Sequence, residues 1–428
     1  MRPLYDEVHK IADNAKGRFC MPGHSGHAIT AMLNSCRYDL TEIPQLDNLL
    51  NPEGVIKEAE ELLAKAYNCK HCLMLTTGTT TGMQIAVRTI ASIGKTVAYL
   101  GELHKSFFNA CTLSGCKLRK VQSVEVLDSY LNDHTEVCAL FLTSPDYFGN
   151  CKDVKRIAKI TKAHNCLVVL DAAHGAHFAF SKLLPEDMSS YVDIELISMH
   201  KTLPVYGGGA LINCNNESLY EKLLFFRQLL HTTSPNYLVL ASMDFARDYA
   251  ENYAESDYAK VKEKIDSFGG RIGGFEIRKS DDFTRLVLRK KGKDCYDVQR
   301  QLQEKNILVE MAYFDMLVLI VTPPNVNKLD DLARELKAIK LKPLEIKNYK
   351  LKPQKLRDIS KTSLKFLALE EAKGHIVATN IGIYPPGQPI VKEREIITDE
   401  VYNILDKNRE RLYGLVNKKV AVYIKNEE

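Results

Sequence analysis

Residues 166–177 read CLVVLDAAHGAH, an uninterrupted apolar run that ends abruptly in polar side chains. A run such as 166–170, with no polar alternation, is typical of a strand that is buried on both faces of a parallel sheet. Asp171 follows it directly, and a carboxylate at the end of a buried strand needs a cation or a hydrogen-bond donor beside it. A helix N-cap or a structural ion pair would meet that need, and so would a bound cationic group.

Apolar runs of the same kind recur along the chain and alternate with helical periodicity. Strands and helices that alternate at this spacing predict an α/β fold, in which helices cover both faces of a parallel sheet. An amphipathic helix is predicted over 152–164, between two of the strands, and a long helix over Tyr237–Phe268. The predicted strands of this sheet are 72–75, Thr96–Leu100, 137–142, 166–170 and 194–198.

These patterns divide the chain into three parts. Residues 1–53 have little periodicity and are predicted to be an N-terminal arm, 54–268 a large domain, and 269–428 a smaller α+β C-terminal domain. The glycine-rich segment 269–274 marks the break, and the lysine-rich stretch at about 337–357 is predicted to be a solvated connector. The predicted elements of the small domain are strands at 285–288 and 317–321 and helices at 296–305 and 329–339.

The composition excludes several classes of protein. Hydrophobic residues make up 45% of the 428 residues and charged residues 26%, as in globular rather than disordered or collagen-like chains. The balance of 58 Lys+Arg and 54 Asp+Glu, a net charge of +4, does not by itself indicate nucleic-acid or membrane binding. No apolar run could cross a bilayer, no signal peptide is visible, and 11 scattered cysteines predict free thiols in a reducing cytoplasm. We therefore expect a cytoplasmic protein. The sequence contains neither a P-loop nor a dinucleotide fingerprint. Cys69 and Cys72 form a C-x-x-C without a second pair, so no metal site is expected.

Polar segments follow four of the predicted strands, at the edge where ligands bind in open parallel sheets. The segment 76–82, TTGTTTG, precedes a helix, where backbone N–H groups can hold a phosphate, although an ordinary N-cap explains the same residues equally well. His104 follows the next strand, and its imidazole can stack on a planar ring, but a lone histidine is more often structural. Lys201 would be partly desolvated, which lowers the pKa of a lysine as Schiff-base chemistry requires. The alternative for Lys201 is a side chain that extends to solvent.

A phosphate cradle, an aromatic cover, an acid and a desolvated lysine are together the groups that hold pyridoxal 5′-phosphate (PLP). They occur here in the order 76–82, His104, Asp171 and Lys201. This is the order found in PLP enzymes with the fold of aspartate aminotransferase, called fold type I. The sequence therefore predicts PLP as the cofactor.

The chain resembles the Orn/Lys/Arg decarboxylase family, bacterial PLP enzymes of fold type I, over almost its whole length. Nine motifs of the family occur in the family's order, which makes the resemblance specific although each motif alone is weak. The chain is similar to the short form of the family, without the N-terminal wing domain of the larger members. The motifs are FCMPGH at 19–24, the acidic segment 39–49, GTT at 78–80, HKS at 104–106, SPDYFG at 144–149, DAAHGAH at 171–177, SMHK at 198–201, TSPNY at 233–237 and YPPG at 384–387.

The resemblance implies a role for each matching residue. Lys201 would bind PLP covalently, and Asp171 would pair with its ring nitrogen. His104 would stack on one face of the ring, with Ala173 beneath the other. Either His200 or Lys201 would return a proton to the substrate Cα, and the predicted catalytic set is Lys201, Asp171, His104 and His200. The predicted cofactor-binding set is Gly78, Thr79, Thr80, His104, Asp171, Ala173, His174, Ser198, His200, Lys201, Thr233 and Ser234.

The resemblance also implies an assembly and a substrate class. Thr233 and Ser234 would reach the phosphate of PLP in a neighbouring subunit, which implies at least a homodimer. Glu395 matches the glutamate that helps to bind the distal cation of the substrate, although the Pro-Gly that precedes it in the family is absent here. The implied activity is decarboxylation of arginine, lysine or ornithine to the corresponding polyamine-pathway amine and CO2. The alternatives are an aminotransferase or carbon–sulfur lyase, which would hold the substrate carboxylate with Arg285 or Arg289, and a PLP-binding protein without turnover.

Overall fold

The computed structural model describes residues 16–19, 46–344, 351, 354, 357, 359, 362–383 and 388–425. These residues belong to two compact units. The first unit lies within Met1–Lys291, Val298–Met311 and Met316–Lys340, and the second within Gly292–Asp297, Ala312–Asp315 and Leu341–Glu428.

A seven-stranded sheet is the centre of the first unit. The strands up to residue 320 are β1 (Gly17–Phe19), β2 (His71–Leu75), β3 (Thr96–Leu100), β4 (Lys117–Val121), β5 (Val137–Thr143), β6 (Leu167–Asp171), β7 (Ile194–Ile197), β8 (Ala210–Cys214), β9 (Glu276–Arg278), β10 (Arg285–Arg289), β11 (Ile307–Val309), β12 (Met311–Tyr313) and β13 (Met316–Ile320). Strands β2 to β8 form the seven-stranded sheet in the order β2-β8-β7-β6-β5-β3-β4. Strand β10 pairs antiparallel with β13 and β9, and β1 pairs in parallel with β11.

Helices α2 (Gly78–Ala91), α3 (Lys105–Ser114) and α7 (Glu217–Leu230) pack on one face of this sheet. Their buried side chains, such as Met83, Phe107 and Leu223, join Leu73 and Phe141 of the sheet in one apolar core. None of the helices in the described ranges combines the length and the apolar character of a membrane span. The helices up to residue 338 are α1 (Val55–Ala66), α2 (Gly78–Ala91), α3 (Lys105–Ser114), α4 (Leu127–Asp133), α5 (Val154–Ala163), α6 (Met199–Thr202), α7 (Glu217–Leu230), α8 (Tyr237–Phe268), α9 (Cys295–Glu304) and α10 (Leu329–Ala338).

Strand β8 corrects the prediction of a parallel sheet. It runs antiparallel to both of its neighbours, β7 and β2, so that the sheet is mixed. The connection from β7 to β8 contains only the one-turn helix α6, which is too little for the helical crossover that joins parallel strands. The sequence patterns predict neither β8 nor β4, because ALINC directly follows three glycines and KLRKV is a charged, largely exposed edge strand.

The carboxyl ends of six of the seven strands lie along one edge of the sheet, since β4 pairs in parallel with β3 and five further strands share its direction. Strands β3, β5, β6 and β7 run in the same direction, since each pairs in parallel with the next. Strand β2 shares this direction because two antiparallel pairings, through β8, relate it to β7. The segments that follow β2, β3, β5, β6 and β7 therefore start at one edge, and they are 76–82, 101–106, 144–149, 172–177 and 198–201.

The first unit extends past residue 269. It continues through β9, β10 and β13, because the residues that lead into β10 are bonded to loops of the large sheet. The Asp282 N–H donates to Gly149 O at 2.9 Å, and the Asp282 carboxylate lies 3.2 Å from His177 Nε2. The division into arm, large domain and small domain remains a prediction.

The second unit is a small β-rich body with its own apolar core. That core contains Val377, Ile381, Val401, Leu405 and Val422. Its strands and helix are β14 (Thr362–Leu367), β15 (Ile376–Val377), β16 (Ile381–Ile383), β17 (Gln388–Val391), α11 (Asp399–Asp406), β18 (Leu412–Tyr413) and β19 (Val420–Lys425). Strands β14 and β15 pair antiparallel with β19, and β17 and β18 pair antiparallel with β16.

A buried ion pair joins two helices of the first unit to its sheet. Glu60 of α1 and Arg227 of α7 are 5% and 0% exposed. Arg227 Nη1 lies 2.6 Å from Glu60 Oε1, and the same oxygen accepts the N–H of Met74 in β2 at 2.8 Å. Arg227 is therefore the cation that stabilises a carboxylate at this depth.

Replacing Arg227 with methionine is expected to lower the free energy of unfolding by about 3–5 kcal/mol, because it leaves the buried Glu60 carboxylate without its cation. Urea denaturation at pH 7 measures the loss. The double variant Glu60→Gln/Arg227→Met should lose less, since it buries no unpaired charge. Glu186→Gln breaks an exposed pair with Lys155 and is the control, with an expected change below about 1 kcal/mol. Equal losses in Arg227→Met and Glu186→Gln would contradict the importance of the buried pair.

Candidate active site

A cavity of about 710 Å³ opens where strands β2, β3, β5, β6 and β7 of the large sheet end. Segments that follow β2, β3, β5, β6 and β7 form its walls, so polar residues that are far apart in the sequence come together there. Ten of the predicted site residues line this cavity: Gly78, Thr79, Thr80, His104, Asp171, Ala173, His174, Ser198, His200 and Lys201.

The first turn of α2 forms one wall of the cavity. Gly78 begins the helix with a φ of 78°, and its N–H donates to Gly208 O at 2.8 Å. Thr79 Oγ1 lies 2.8 Å from Ser198 Oγ, which ties the helix to the segment after β7. Thr77, the residue before the helix, makes no side-chain capping bond. The N–H groups and the positive end of the helix dipole are therefore suited to the phosphate of PLP.

Asp171 is buried at the carboxyl end of β6, with 7% of its surface exposed. Its Oδ1 accepts the N–H of Ala173 at 3.1 Å. Burial raises the pKa of the carboxyl, while the positive charge of Lys201 and the Ala173 N–H act in the opposite direction. A protonated ring nitrogen beside this carboxylate would further stabilise its charged form, and the carboxylate would in turn hold the proton on the ring.

Lys201 is carried by α6, the single turn between β7 and β8. Its Nζ lies 3.0 Å from His174 Nε2. Burial lowers the pKa of the amine, with a smaller contribution from Arg285, whereas the carboxylates of Asp171 and Glu310 raise it. A lysine with a lowered pKa is uncharged over more of the neutral pH range, and the uncharged amine is the form that attacks an aldehyde.

His174 is enclosed by polar and aromatic groups. Arg285 Nη2 lies 2.8 Å from His174 Nδ1, on the opposite side of the ring from Lys201. The Tyr147 ring packs edge-on against the imidazole, with 4.8 Å between ring centroids. Burial lowers the pKa of His174 well below its usual value, and the charges of Arg285 and Lys201 lower it further. His174 is therefore uncharged at neutral pH.

His104 and His200 are uncharged as well. His104 precedes α3, where its Nδ1 accepts the N–H of Ser106 at 3.2 Å. Burial and then the charge of Lys201 lower the pKa of His104 to about 4. His200 Nδ1 donates to Gly209 O at 3.0 Å, which leaves Nε2 as an acceptor, and burial lowers the pKa of this imidazole too. A neutral imidazole such as that of His104 can stack on an aromatic ring without placing a cation against it.

Three predicted site residues do not line the cavity. Thr233 and Ser234 are exposed in the link between α7 and α8, where the Ser234 N–H donates to Thr232 Oγ1 at 3.2 Å. Glu395 belongs to the second unit, and its Oε2 accepts the N–H of Lys392 at 2.8 Å. Parts of two predicted motifs, at 20–24 and 39–45, and the whole of a third, at 384–387, lie outside the described residues.

Several residues of the site have no role in the sequence-based prediction. Glu102, Asp146 and Tyr147 line the cavity, and the Tyr147 hydroxyl donates to the carboxylate of Glu310. The motif SPDYFG is the sequence signal that could have pointed to Asp146 and Tyr147. Glu310 follows a short strand and carries no comparable signal, so only the structure brings it to the site.

The sheet and the cavity place the chain in the fold type I class of PLP-dependent enzymes. Among solved structures, the lysine decarboxylase of Francisella novicida shares this fold with a TM-score of 0.73 and 16% sequence identity, over 100% of this chain and 81% of that one. A family model described as Orn/Lys/Arg decarboxylase, major domain, matches residues 2–268. The chain belongs to this family, and it is a PLP-dependent decarboxylase of basic amino acids.

Relatives match beyond the major domain. The arginine decarboxylase of Bacillus subtilis (strain 168) is 29% identical, over 95% of this chain and 93% of its own length. The arginine decarboxylase of Halalkalibacterium halodurans is 26% identical, over 93% of this chain and 91% of its own length. The similarity therefore includes most of the chain after residue 268 as well.

Proposed function

We propose that this chain decarboxylates arginine in the cavity around Lys201 and releases CO2 and agmatine. The observation that carries the proposal is the placement of the Lys201 amine, with its lowered pKa, and the buried Asp171 carboxylate in the lining of one cavity. Relatives named arginine decarboxylase, which cover 91% to 95% of this chain, support arginine over the family's other substrates. Lysine and ornithine also combine an α-amino acid with a distal cation, so the test below includes them.

Different residues of the cavity would have different roles in the reaction. When bound, PLP supplies an electron-accepting ring that takes up the electron pair of the Cα–carboxylate bond as CO2 leaves. Asp171 would hold a proton on the ring nitrogen, which strengthens this electron demand. His104 would cover one face of the ring and exclude water from it. After CO2 has left, a proton would reach Cα from Lys201 Nζ, or from His200 Nε2 once that nitrogen has itself taken up a proton.

The phosphate of PLP and the distal cation of the substrate would bind different groups of the cavity. The phosphate would bind N–H and hydroxyl groups, and the cation would bind carboxylates. The first turn of α2 and the Ser198 hydroxyl would hold the phosphate, as their mutual contacts and the uncapped helix end suggest. The described lining contains three carboxylates, and Asp171 is assigned to the ring nitrogen. Glu102 and Asp146 are the other two carboxylates of this lining and the proposed partners of the substrate's distal cation, and Asp146 also accepts the backbone N–H groups of Phe148 and Asn150. Glu395 in the second unit remains a proposed additional ligand.

The aminotransferase alternative lacks support in the described cavity lining. Such an enzyme would need an arginine that faces the substrate carboxylate, but no arginine occurs among the lining residues described. Arg285 is 1% exposed and its Nη2 is directed at His174, and Arg289 lies at the exposed end of β10. We therefore favour decarboxylation, in which loss of the carboxylate does not require that arginine.

The proposed substrate is tested by incubating the purified protein and PLP with arginine, lysine or ornithine in separate reactions. The expected result is release of CO2 with arginine and formation of agmatine, identified by mass spectrometry, at a kcat/KM at least about tenfold above that for the other two. Cadaverine or putrescine as the main product would replace arginine with lysine or ornithine. A keto acid without CO2 would contradict decarboxylation altogether.

We further propose that the active unit is a homodimer with shared sites, in the cytoplasm, and that it serves polyamine synthesis. The exposed position of Thr233 and Ser234 supports a contact with the cofactor of a neighbouring subunit. Light scattering should therefore give about twice the 48.4 kDa mass of the chain. An active monomer would contradict shared sites.

A further inference from the structure

Three side chains connect the cavity to strand β10. Lys201 Nζ lies 3.0 Å from His174 Nε2, and Arg285 Nη2 lies 2.8 Å from His174 Nδ1. His174 is 7% exposed and Arg285 is 1% exposed. Both ring nitrogens of His174 are therefore bonded to protein groups rather than to bulk water.

Arg285 determines which nitrogen of His174 carries the proton. A guanidinium has only N–H donors, so His174 Nδ1 must be the acceptor of that contact. A neutral imidazole that accepts at Nδ1 carries its proton at Nε2, and this N–H then donates to Lys201 Nζ. Because an ammonium group has no free electron pair, Nζ can accept this bond only as the uncharged amine.

The reverse set of bonds would place two donors against each other. A charged Lys201 ammonium would donate to His174 Nε2, which would move the imidazole proton to Nδ1. That N–H would then point at the Arg285 N–H group at a distance of 2.8 Å. Burial disfavours the charged forms of both His174 and Lys201, in agreement with the first arrangement.

The surroundings hold both the ring and the guanidinium in place. Tyr147 packs edge-on against the His174 ring, and its hydroxyl is bonded to the Glu310 carboxylate. Burial lowers the pKa of Arg285, while the carboxylates of Asp282 and Glu310 act in the opposite direction, and a guanidinium stays protonated in proteins. Arg285 is therefore a permanent donor at the back of the imidazole, on the side away from Lys201.

We propose that Arg285 is a positioning residue for cofactor attachment, which fixes the tautomer of His174 and thereby holds Lys201 as the uncharged amine. This inference rests on the proposed role of Lys201 as the lysine that binds PLP. Attachment joins Nζ to the aldehyde carbon of PLP and releases one water, with no change in oxidation state. The amine needs its free electron pair for this step, and the His174 N–H leaves Nζ unprotonated until the aldehyde arrives.

Several other groups act on the same amine and are held constant in the test. Asp171 and Glu310 favour the ammonium form of Lys201, whereas Arg285 favours the amine. The titratable and charged groups that face Lys201 are Asp171 in β6, His174 after β6, His104 before α3, His200 in α6, Arg285 in β10 and Glu310 after β11.

The experiment follows the rate at which the apoprotein attaches PLP between pH 6 and pH 9, from the growth of the imine absorbance. In Arg285→Met, His174 can adopt the other tautomer and accept from a Lys201 ammonium. The midpoint of the pH profile is then expected to rise by about one pH unit or more, which slows attachment about tenfold near neutral pH. Arg289→Met, at the exposed end of the same strand, is the matched control and should keep the wild-type profile.

A double-variant cycle separates the tautomer effect from the bare charge of Arg285. With His174→Phe, which keeps a ring but has no nitrogen, Arg285→Met is expected to cause only the smaller shift that the direct charge of Arg285 on Lys201 contributes. A shift of the same size in both backgrounds would overturn the proposal, because Arg285 would then act directly by its charge. An unchanged profile in Arg285→Met would overturn it as well.

A measurement on the wild-type apoprotein decides the question even if Arg285→Met does not fold. Spectra of 15N-histidine-labelled protein report the tautomer of His174, whose signals are identified by their loss in His174→Phe. We expect a proton on Nε2 and none on Nδ1, and the opposite tautomer would overturn the proposal. Lys201→Ala in the attachment assay tests the proposed function separately, since covalent uptake there would refute Lys201 itself rather than the role of Arg285.

Discussion

Replacing Lys201 with alanine is expected to reduce decarboxylation below about 0.1% of the wild-type rate, a loss of more than about 4 kcal/mol of transition-state stabilisation. Lys201 is the one lysine among the described residues that line the cavity, so no neighbouring amine there can replace it. The yellow imine absorbance of the PLP-loaded protein should disappear in the same variant, because its Nζ is gone. Both the rate of CO2 release and the absorbance spectrum are measured.

Lys182→Ala is the matched control for this prediction. Lys182 is exposed and does not line the cavity, so its removal should leave rate and absorbance at wild-type values. Reduction of the wild-type protein with borohydride, followed by peptide mass spectrometry, should also place the PLP label on Lys201. A label on another lysine, or an alanine variant that still turns over, would refute the assignment of the cofactor lysine.

Replacing Asp171 with alanine is expected to lower kcat by about 10²–10⁴, or about 3–5 kcal/mol, while PLP stays bound. The buried carboxylate is the group that would hold the ring nitrogen protonated, and without it the ring accepts electrons less readily. Lys201 and the first turn of α2 would still retain the cofactor, so the loss should be in rate rather than in occupancy. Steady-state kinetics and the PLP content per subunit measure the two quantities.

Asp171→Asn is the shape-matched companion to this variant. Its amide oxygen can still accept the Ala173 N–H that the carboxylate accepts at 3.1 Å, so the loop after β6 keeps that bond. Its rate should be nearly as low as that of Asp171→Ala, since both lack the negative charge. A rate within tenfold of wild type in Asp171→Asn would show that shape, and not charge, matters at this position.

Local sequence patterns predicted the elements that have a continuous apolar run or a long helical periodicity. Strand β3 and helix α8 have the predicted bounds, because five consecutive residues of β3 are buried and α8 keeps a helical pattern for 32 residues. The polar segments after the strands were assigned to one edge, and the cavity confirms that they share it. Strands β4 and β8 were not predictable in the same way, since one is charged and exposed and the other turns back after a short link.

The order of residues along the chain was sufficient to predict the class of chemistry. A small hydroxyl-rich turn, an acid at the end of a buried strand and a lysine after the next strand are local features, and each can be read without knowledge of the fold. Their order pointed to PLP and to the decarboxylase family, which the family match confirms. The roles of the individual site residues remain predictions that the variants above will test.

The amino-acid sequence by itself determined the fold class, the cofactor and the family, because these depend on residue types and on their order. Only the tertiary structure decided which distant side chains meet, since the packing of β10 brings Arg285 against His174 across 111 positions of the chain. A buried donor such as Arg285 needs an acceptor, but no local pattern predicts which distant residue will be that acceptor. In the proposal above, that contact fixes the tautomer of His174 and thereby holds Lys201 as the uncharged amine that attaches PLP.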